Sequence, residues 1–267
     1  MTKDNRKRKT LSIRISTNGF CFCGYTPTIQ DSLQHYTFIP DKERSLAANF
    51  NKAIEEVPFI QNGEHYTVKA IIESTEYTCL PNEYDNREKY KQYYSLCFPK
   101  SDENIEIVSN KLNAQGFTII FPVEQSLYEE IQRLGEITFY TPASIIAGFM
   151  YSQDTVEERY MLAYIQNQKV LFLSVKNKKI EIINSFKGNQ GQDILFYLLS
   201  IWKEQGFSQT DDTLYLCGDR SIEEILLTTN KFIKNTKRLN PYTIFPPNLL
   251  NKIEGIPFDL QALILCE

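Results

Sequence analysis

Two histidines in 267 residues, and no C-x-x-C pair, leave little from which to build a metal centre. His35 and His65 have no partners at ligand spacing, and Cys21 and Cys23 form a C-x-C on one strand face, not a zinc or redox pair. The phosphate-cradling G-x-x-x-x-G-K-S/T, the dinucleotide G-x-G-x-x-G and the hydrolase G-x-S-x-G are also missing. No window approaches the roughly 18 to 20 apolar residues of a membrane helix, and no apolar segment follows the basic start. A cytoplasmic protein without a membrane span is the expectation. A net charge of -4 and a pI near 5.5 give no general pull toward nucleic acid or anionic lipid. The one dense basic run, Lys3 to Lys9, reads as a disordered, solvated tail over residues 1–9.

What the chain does have is core: 42% hydrophobic and 13% aromatic residues suffice for one large domain or two modest ones. Its six cysteines lie in apolar segments and read as buried, reduced thiols. Leu11, Ile13 and Ile15 alternate with Ser12, Arg14 and Ser16, which predicts a strand with one buried face. Asn18-Gly19 follows and predicts a primed two-residue turn into a second strand reaching Tyr25. A strand over 35–40 then leads through Asp41, as cap, into a helix carrying Leu46, Phe50, Ile54 and Val57. Two short strands over 67–81 flank Ser74-Thr75, and the tyrosine-rich 82–98 segment predicts a helix with loops at its ends. A second hairpin turns at Asn113 to Gly116, a helix ends at Gly135, and a strand stopped by Pro142 enters a small apolar helix over 143–151.

The second half begins like the first. Strands over 161–165, 169–175 and 179–186 form a meander, and Gly188 to Gly191 leads to a helix over 193–205 whose buried stripe is Leu195, Leu198, Leu199 and Trp202. A strand over 213–219 turns at Gly218-Asp219 into a helix capped by Ser221. A further strand, a proline-rich stretch over 241–247 and a last helix complete the chain.

A hairpin opening each half, with a late strand-Gly-helix unit, resembles the actin-like ATPase fold of actin, the seventy-kilodalton chaperones, sugar kinases and pilus-assembly ATPase-like proteins. As a whole the chain is similar to a family of uncharacterised Bacteroidetes proteins with this fold. The resemblance implies a duplicated α/β, ribonuclease H-like fold of two subdomains flanking a cleft: 10–141, with 82–98 inserted, and 142–267. Residues 11–25 and 161–175 would stand at the two phosphate hairpins, ITFYTPASIIAGFMY at the connecting segment and LYLCGDRSIEEIL at the adenosine segment. Asn18, Gly19, Gly218 and Asp219 would line a vestigial nucleotide cleft.

Departures from that pattern set the functional expectation. Active members carry an aspartate near the end of each hairpin's first strand to position magnesium. Here no acid lies between Leu11 and Tyr25, and the second hairpin offers Gln166, Asn167 and Gln168. Without that charge phosphoryl transfer loses several kcal/mol of electrostatic stabilisation. No catalytic residue, cofactor or metal is therefore expected, and the reading is a pseudo-ATPase acting as a binding or assembly scaffold for a protein partner or for itself. The alternative is a nucleotide-binding ATPase or small-molecule kinase using ATP and magnesium through acids such as Asp193 or Asp219. A third reading is an unrelated α/β binding module. Tyrosines 84–94 with Lys89 and Lys91 could stack on single-stranded nucleic acid, but suit a protein interface or a half-buried helix better.

Overall fold

The computed structural model describes residues 9–27, 29, 32–60, 66–101, 104–153, 157–188, 191–219, 222–239 and 255–265. The basic run 3–8, His65, Ser221, the 241–247 stretch, Cys266 and part of the 188–191 joint lie outside them. The chain divides into two compact units, one drawn from 1–144 and 248–256, the other from 145–247 and 257–266.

In the first unit β1 (Thr10–Ser16), β2 (Gly19–Tyr25) and β3 (Gln34–Phe38) form an antiparallel meander. Helix α1 (Leu46–Glu56) then crosses to β4 (Tyr66–Ile72), which pairs parallel to β1. After an excursion, β8 (Gly135–Tyr140) adds parallel to β4, giving the order β3-β2-β1-β4-β8. The second unit repeats this plan. Strands β9 (Arg159–Gln166), β10 (Lys169–Lys176) and β11 (Lys179–Lys187) form the meander, and α5 (Gly191–Glu204) crosses to β12 (Thr213–Gly218). Helix α6 (Ile222–Thr229) then leads to β13 (Asn235–Arg238), and the order is β11-β10-β9-β12-β13. Numbered within each unit, both sheets read 3-2-1-4-5 with the same parallel and antiparallel pairings.

The excursion between β4 and β8 is where the units differ. It contains β5 (Thr78–Pro81), α2 (Tyr90–Cys97), β6 (Ile105–Leu112) and β7 (Phe117–Glu124), followed by α3 (Gln125–Gln132). Its three strands form a separate sheet, β5-β7-β6, and Leu80, Tyr90, Tyr94 and Ile120 fill a small core. The tyrosines at 90 and 94 are thus core residues, unavailable for stacking on bases. The chain passes between units within α4 (Pro142–Ser152), and α7 (Phe258–Leu265) closes the second unit with Phe258 edge-on to Phe149 at 5.2 Å. Among the described residues no helix is long and apolar enough to cross a membrane.

Several local expectations are corrected. Strand β1, the middle strand of five, is buried on both faces. The first turn is Thr17-Asn18, and neither residue is left-handed. Helix α1 is capped by the Ser45 hydroxyl, which accepts from the Ala48 N–H at 3.2 Å. Asp41 instead bonds the Glu43 N–H at 3.0 Å, a local turn that leaves the helix start to Ser45. The buried stripe of α5 is Ile194, Leu198 and Trp202, while Leu195 and Leu199 are only part-buried. Helix α3 ends before Gly135, which opens β8. Pro142 begins α4, where its missing N–H costs nothing. Cys97 is exposed, unlike the buried Cys21, Cys23 and Cys217.

Candidate functional site

The first hairpin is closed by its own serine. Ser16 Oγ accepts from the N–H groups of Asn18 (3.3 Å) and Gly19 (3.1 Å) and donates to the Gly19 carbonyl at 2.8 Å. A Cβ at Gly19 would meet only the Phe38 carbonyl, at an ordinary 3.6 Å, so packing does not demand a glycine there. One turn of the pleat below, Arg14 meets Glu73 at 2.6 Å, with the two side chains 3% and 4% exposed. Glu73 follows β4, and its N–H donates to the Ile15 carbonyl at 3.0 Å. The first hairpin thus carries a buried cation on β1, and its carboxylate partner comes from just beyond the neighbouring strand.

The second hairpin turns on Asn167 and Gln168, both left-handed at φ 52° and 60°. This is the primed turn, made without glycine. The Asn167 N–H donates to Asp219 Oδ2 at 3.0 Å, and the Asp219 N–H donates to the Ile165 carbonyl, also at 3.0 Å. Gly218 has φ of 138°, and a Cβ on it would lie 1.8 Å from the Ile165 carbonyl oxygen. So Gly218 lets the end of β12 lie against the end of β9, and Asp219 ties that junction to the turn. Asn18 and Gly19 belong to the first unit, Gly218 and Asp219 to the second.

Two concavities lie elsewhere. A groove of about 590 Å³ in the first unit is lined by β6, β8 and residues of α2 and α3, with Arg87, Glu106 and Tyr128 among its walls. A smaller hollow of about 180 Å³ in the second unit lies beside Tyr151, Glu157 and Lys178. Among the described residues no three His, Cys, Asp or Glu side chains are grouped to hold a metal ion.

Residues 1–236 match the family described as "Protein of unknown function (DUF3822)". The chain belongs to this family. A solved Bacteroides thetaiotaomicron VPI-5482 protein, described as having an actin-like ATPase fold and unknown function, is similar to this DUF3822 chain over 100% of both chains, with 28% identity and a TM-score of 0.83. The structure of a PilM-PilN type IV pilus biogenesis complex is similar with 10% identity and a TM-score of 0.58, covering 96% of this chain and 97% of that one. No curated protein matches the sequence. The DUF3822 chain thus has the actin-like ATPase fold, in agreement with its duplicated 3-2-1-4-5 sheets.

Two features of the DUF3822 chain escaped the sequence reading. Glu73 is unremarkable just beyond the end of a strand, and Arg14 reads as one of three polar residues on a solvated strand face, so neither signals the pair. The β6–β8 groove left no motif, because its walls come from segments far apart in the chain.

Proposed function

We propose that this DUF3822 protein is a non-catalytic member of the actin-like fold, a pseudo-ATPase that serves as a binding or assembly scaffold. The observation that carries this reading is that the protein's own side chains take hairpin donors that a phosphate would need. Ser16 accepts from two N–H groups of the first hairpin, and the Asp219 carboxylate accepts from the second. A phosphate at the first hairpin would have to displace a hydroxyl, and one at the second an anion.

The residues do not fit a magnesium nucleotide. The end of β1 offers Ser16, Thr17 and Asn18 and no acid to hold the metal's water shell, the nearby Arg14 guanidinium would repel the cation, and the carboxylate of Glu73 is already paired with that guanidinium. Gly218 opens space that the Ile165 carbonyl occupies, so its lack of a side chain does not admit a ligand. Asn18 and Gly19 in the first unit, and Gly218 and Asp219 in the second, are on this reading vestiges of nucleotide-binding loops, retained as turn and packing residues. The scaffold role draws support from the β5-β7-β6 module, an elaboration of the first unit with no counterpart in the second among the described residues. The complex named for the PilM-PilN structure is consistent with the same fold serving assembly in another protein.

The test is phosphate release from ATP and from GTP with magnesium by the purified chain. The scaffold reading expects release no faster than the buffer blank. Turnover that is lost on Asp219→Asn or Asp193→Asn substitution would overturn it in favour of an ATPase or small-molecule kinase.

A further inference from the structure

Two sheet edges line the 590 Å³ groove of the first unit. Among the described residues β8 pairs only with β4 and β6 only with β7, so each is the outermost strand of its sheet. Residues 106–109 of β6 and Ile137 to Phe139 of β8 form facing walls. The walls are pinned together at one end, where Asn110 Nδ2 donates to the Phe139 carbonyl at 2.6 Å and Ser144 Oγ donates to Asn110 Oδ1 at 2.6 Å. An asparagine side chain has taken the edge position that another strand would fill.

That contact fixes the orientation of the rest of the edge. In an extended strand the N–H and C=O of one residue point to the same side, and the direction alternates with a period of two. Since the Phe139 carbonyl faces Asn110, Ile137 presents its N–H and C=O to the groove, and Thr138 turns toward β4. The groove therefore holds a donor and an acceptor at strand spacing. It also holds Arg87 and Glu106, neither with an ion-pair partner among the described residues. Its volume lies within the roughly 300–1,000 Å³ usual for ligand sites.

We propose that this groove binds an extended peptide segment of a partner protein, which adds as a strand to the outer edge of β8. Its acidic residue meets Arg87 and its basic residue meets Glu106. Main-chain hydrogen bonds to Ile137 supply the backbone register, and the two charges supply side-chain selection. This rests on the scaffold reading and names the class of partner.

A random dodecapeptide library displayed on phage is selected against the full chain, and enriched peptides are titrated by fluorescence anisotropy. Enrichment of sequences with an acid and a base is expected, with binding about tenfold weaker to Ile137→Pro, which loses one edge donor. Because that N–H faces away from β4, the proline leaves the β4–β8 ladder intact. Arg87→Glu, at an exposed position outside any ladder, should likewise weaken binding of the same peptides and restore it for peptides with the acid changed to lysine. Failure to enrich any peptide, or equal affinity for the wild type and Arg87→Glu, would overturn the peptide groove while leaving an inert nucleotide assay intact. Nucleotide turnover would overturn the scaffold reading whatever the peptides do.

Discussion

Replacing Gly218 by alanine separates two explanations of why a glycine stands there. If it admits a ligand, the free protein should tolerate a methyl group. If it admits the backbone of β9, the fold should not. At φ of 138° an alanine is strained by roughly 1–3 kcal/mol. Its Cβ would also lie 1.8 Å from the Ile165 carbonyl oxygen, so the end of β12 must move away by more than an ångström. That movement breaks the Asp219 N–H bond to Ile165 and loosens the Asn167 bond to Asp219, at about 1 kcal/mol each. The expected loss is about 3–5 kcal/mol, from a total that is roughly 5–15 kcal/mol for proteins generally. With urea slopes of about 1–3 kcal/mol/M the midpoint should fall by on the order of 1–5 M. Trp202, the chain's single tryptophan and 3% exposed in the same unit, reports the transition by fluorescence. Gly148→Ala is the control: it is a helical glycine in that unit whose added Cβ meets nothing within 4 Å, and it should gain about 0.5–1 kcal/mol. A Gly218→Ala midpoint equal to wild type would refute the packing explanation.

Glu73→Leu strips the carboxylate from a buried guanidinium and should cost roughly 3–5 kcal/mol, whereas the double variant with Arg14→Met should recover most of it. Far-UV circular dichroism melts of the three proteins check the order. Lys178 sits left-handed at φ 62°, and Lys178→Gly should raise stability by about 0.5–1 kcal/mol in urea titrations read by Trp202. The hydrogen bond from Lys111 (2.7 Å), then that from the Tyr90 hydroxyl, holds the Asp85 carboxyl below its ordinary range. A lowered folded value stabilises above the unfolded value, about 3.9, and the contribution disappears as pH falls through the folded value. Asp85→Asn should therefore melt below wild type at pH 7, with the gap closing under pH 4.

The elements themselves were largely readable, because alternation and helical spacing are properties of the local backbone. The hairpins over 10–25 and 159–176, the meander that follows the second and the turn at 113–116 all come from such patterns. What alternation cannot report is a second layer. Ser12, Arg14 and Ser16 read as a solvated face, yet each is at most 3% exposed, since polar side chains bury when paired inside the protein. Turn chemistry misled in a related way. Asn18-Gly19 has the composition of a primed turn, but the Ser16 hydroxyl satisfies the loop without left-handed residues, while Asn167-Gln168 goes left-handed with an aspartate 52 residues away holding its N–H. The resemblance gives Gly218 the place of a ligand-facing glycine, whereas in the fold its need for glycine is stereochemical. The Ile165 carbonyl that imposes it is a long-range neighbour no short motif contains.

The central claim, that the hairpins are filled by the protein's own groups and take no nucleotide, is tested most directly by calorimetric titration of the purified chain with ATP and magnesium, with Asp219→Ser alongside. The account predicts no binding heat for wild type at millimolar nucleotide. Magnesium-dependent binding to wild type, weakened by the loss of Asp219, would contradict it and make that carboxylate part of a working site.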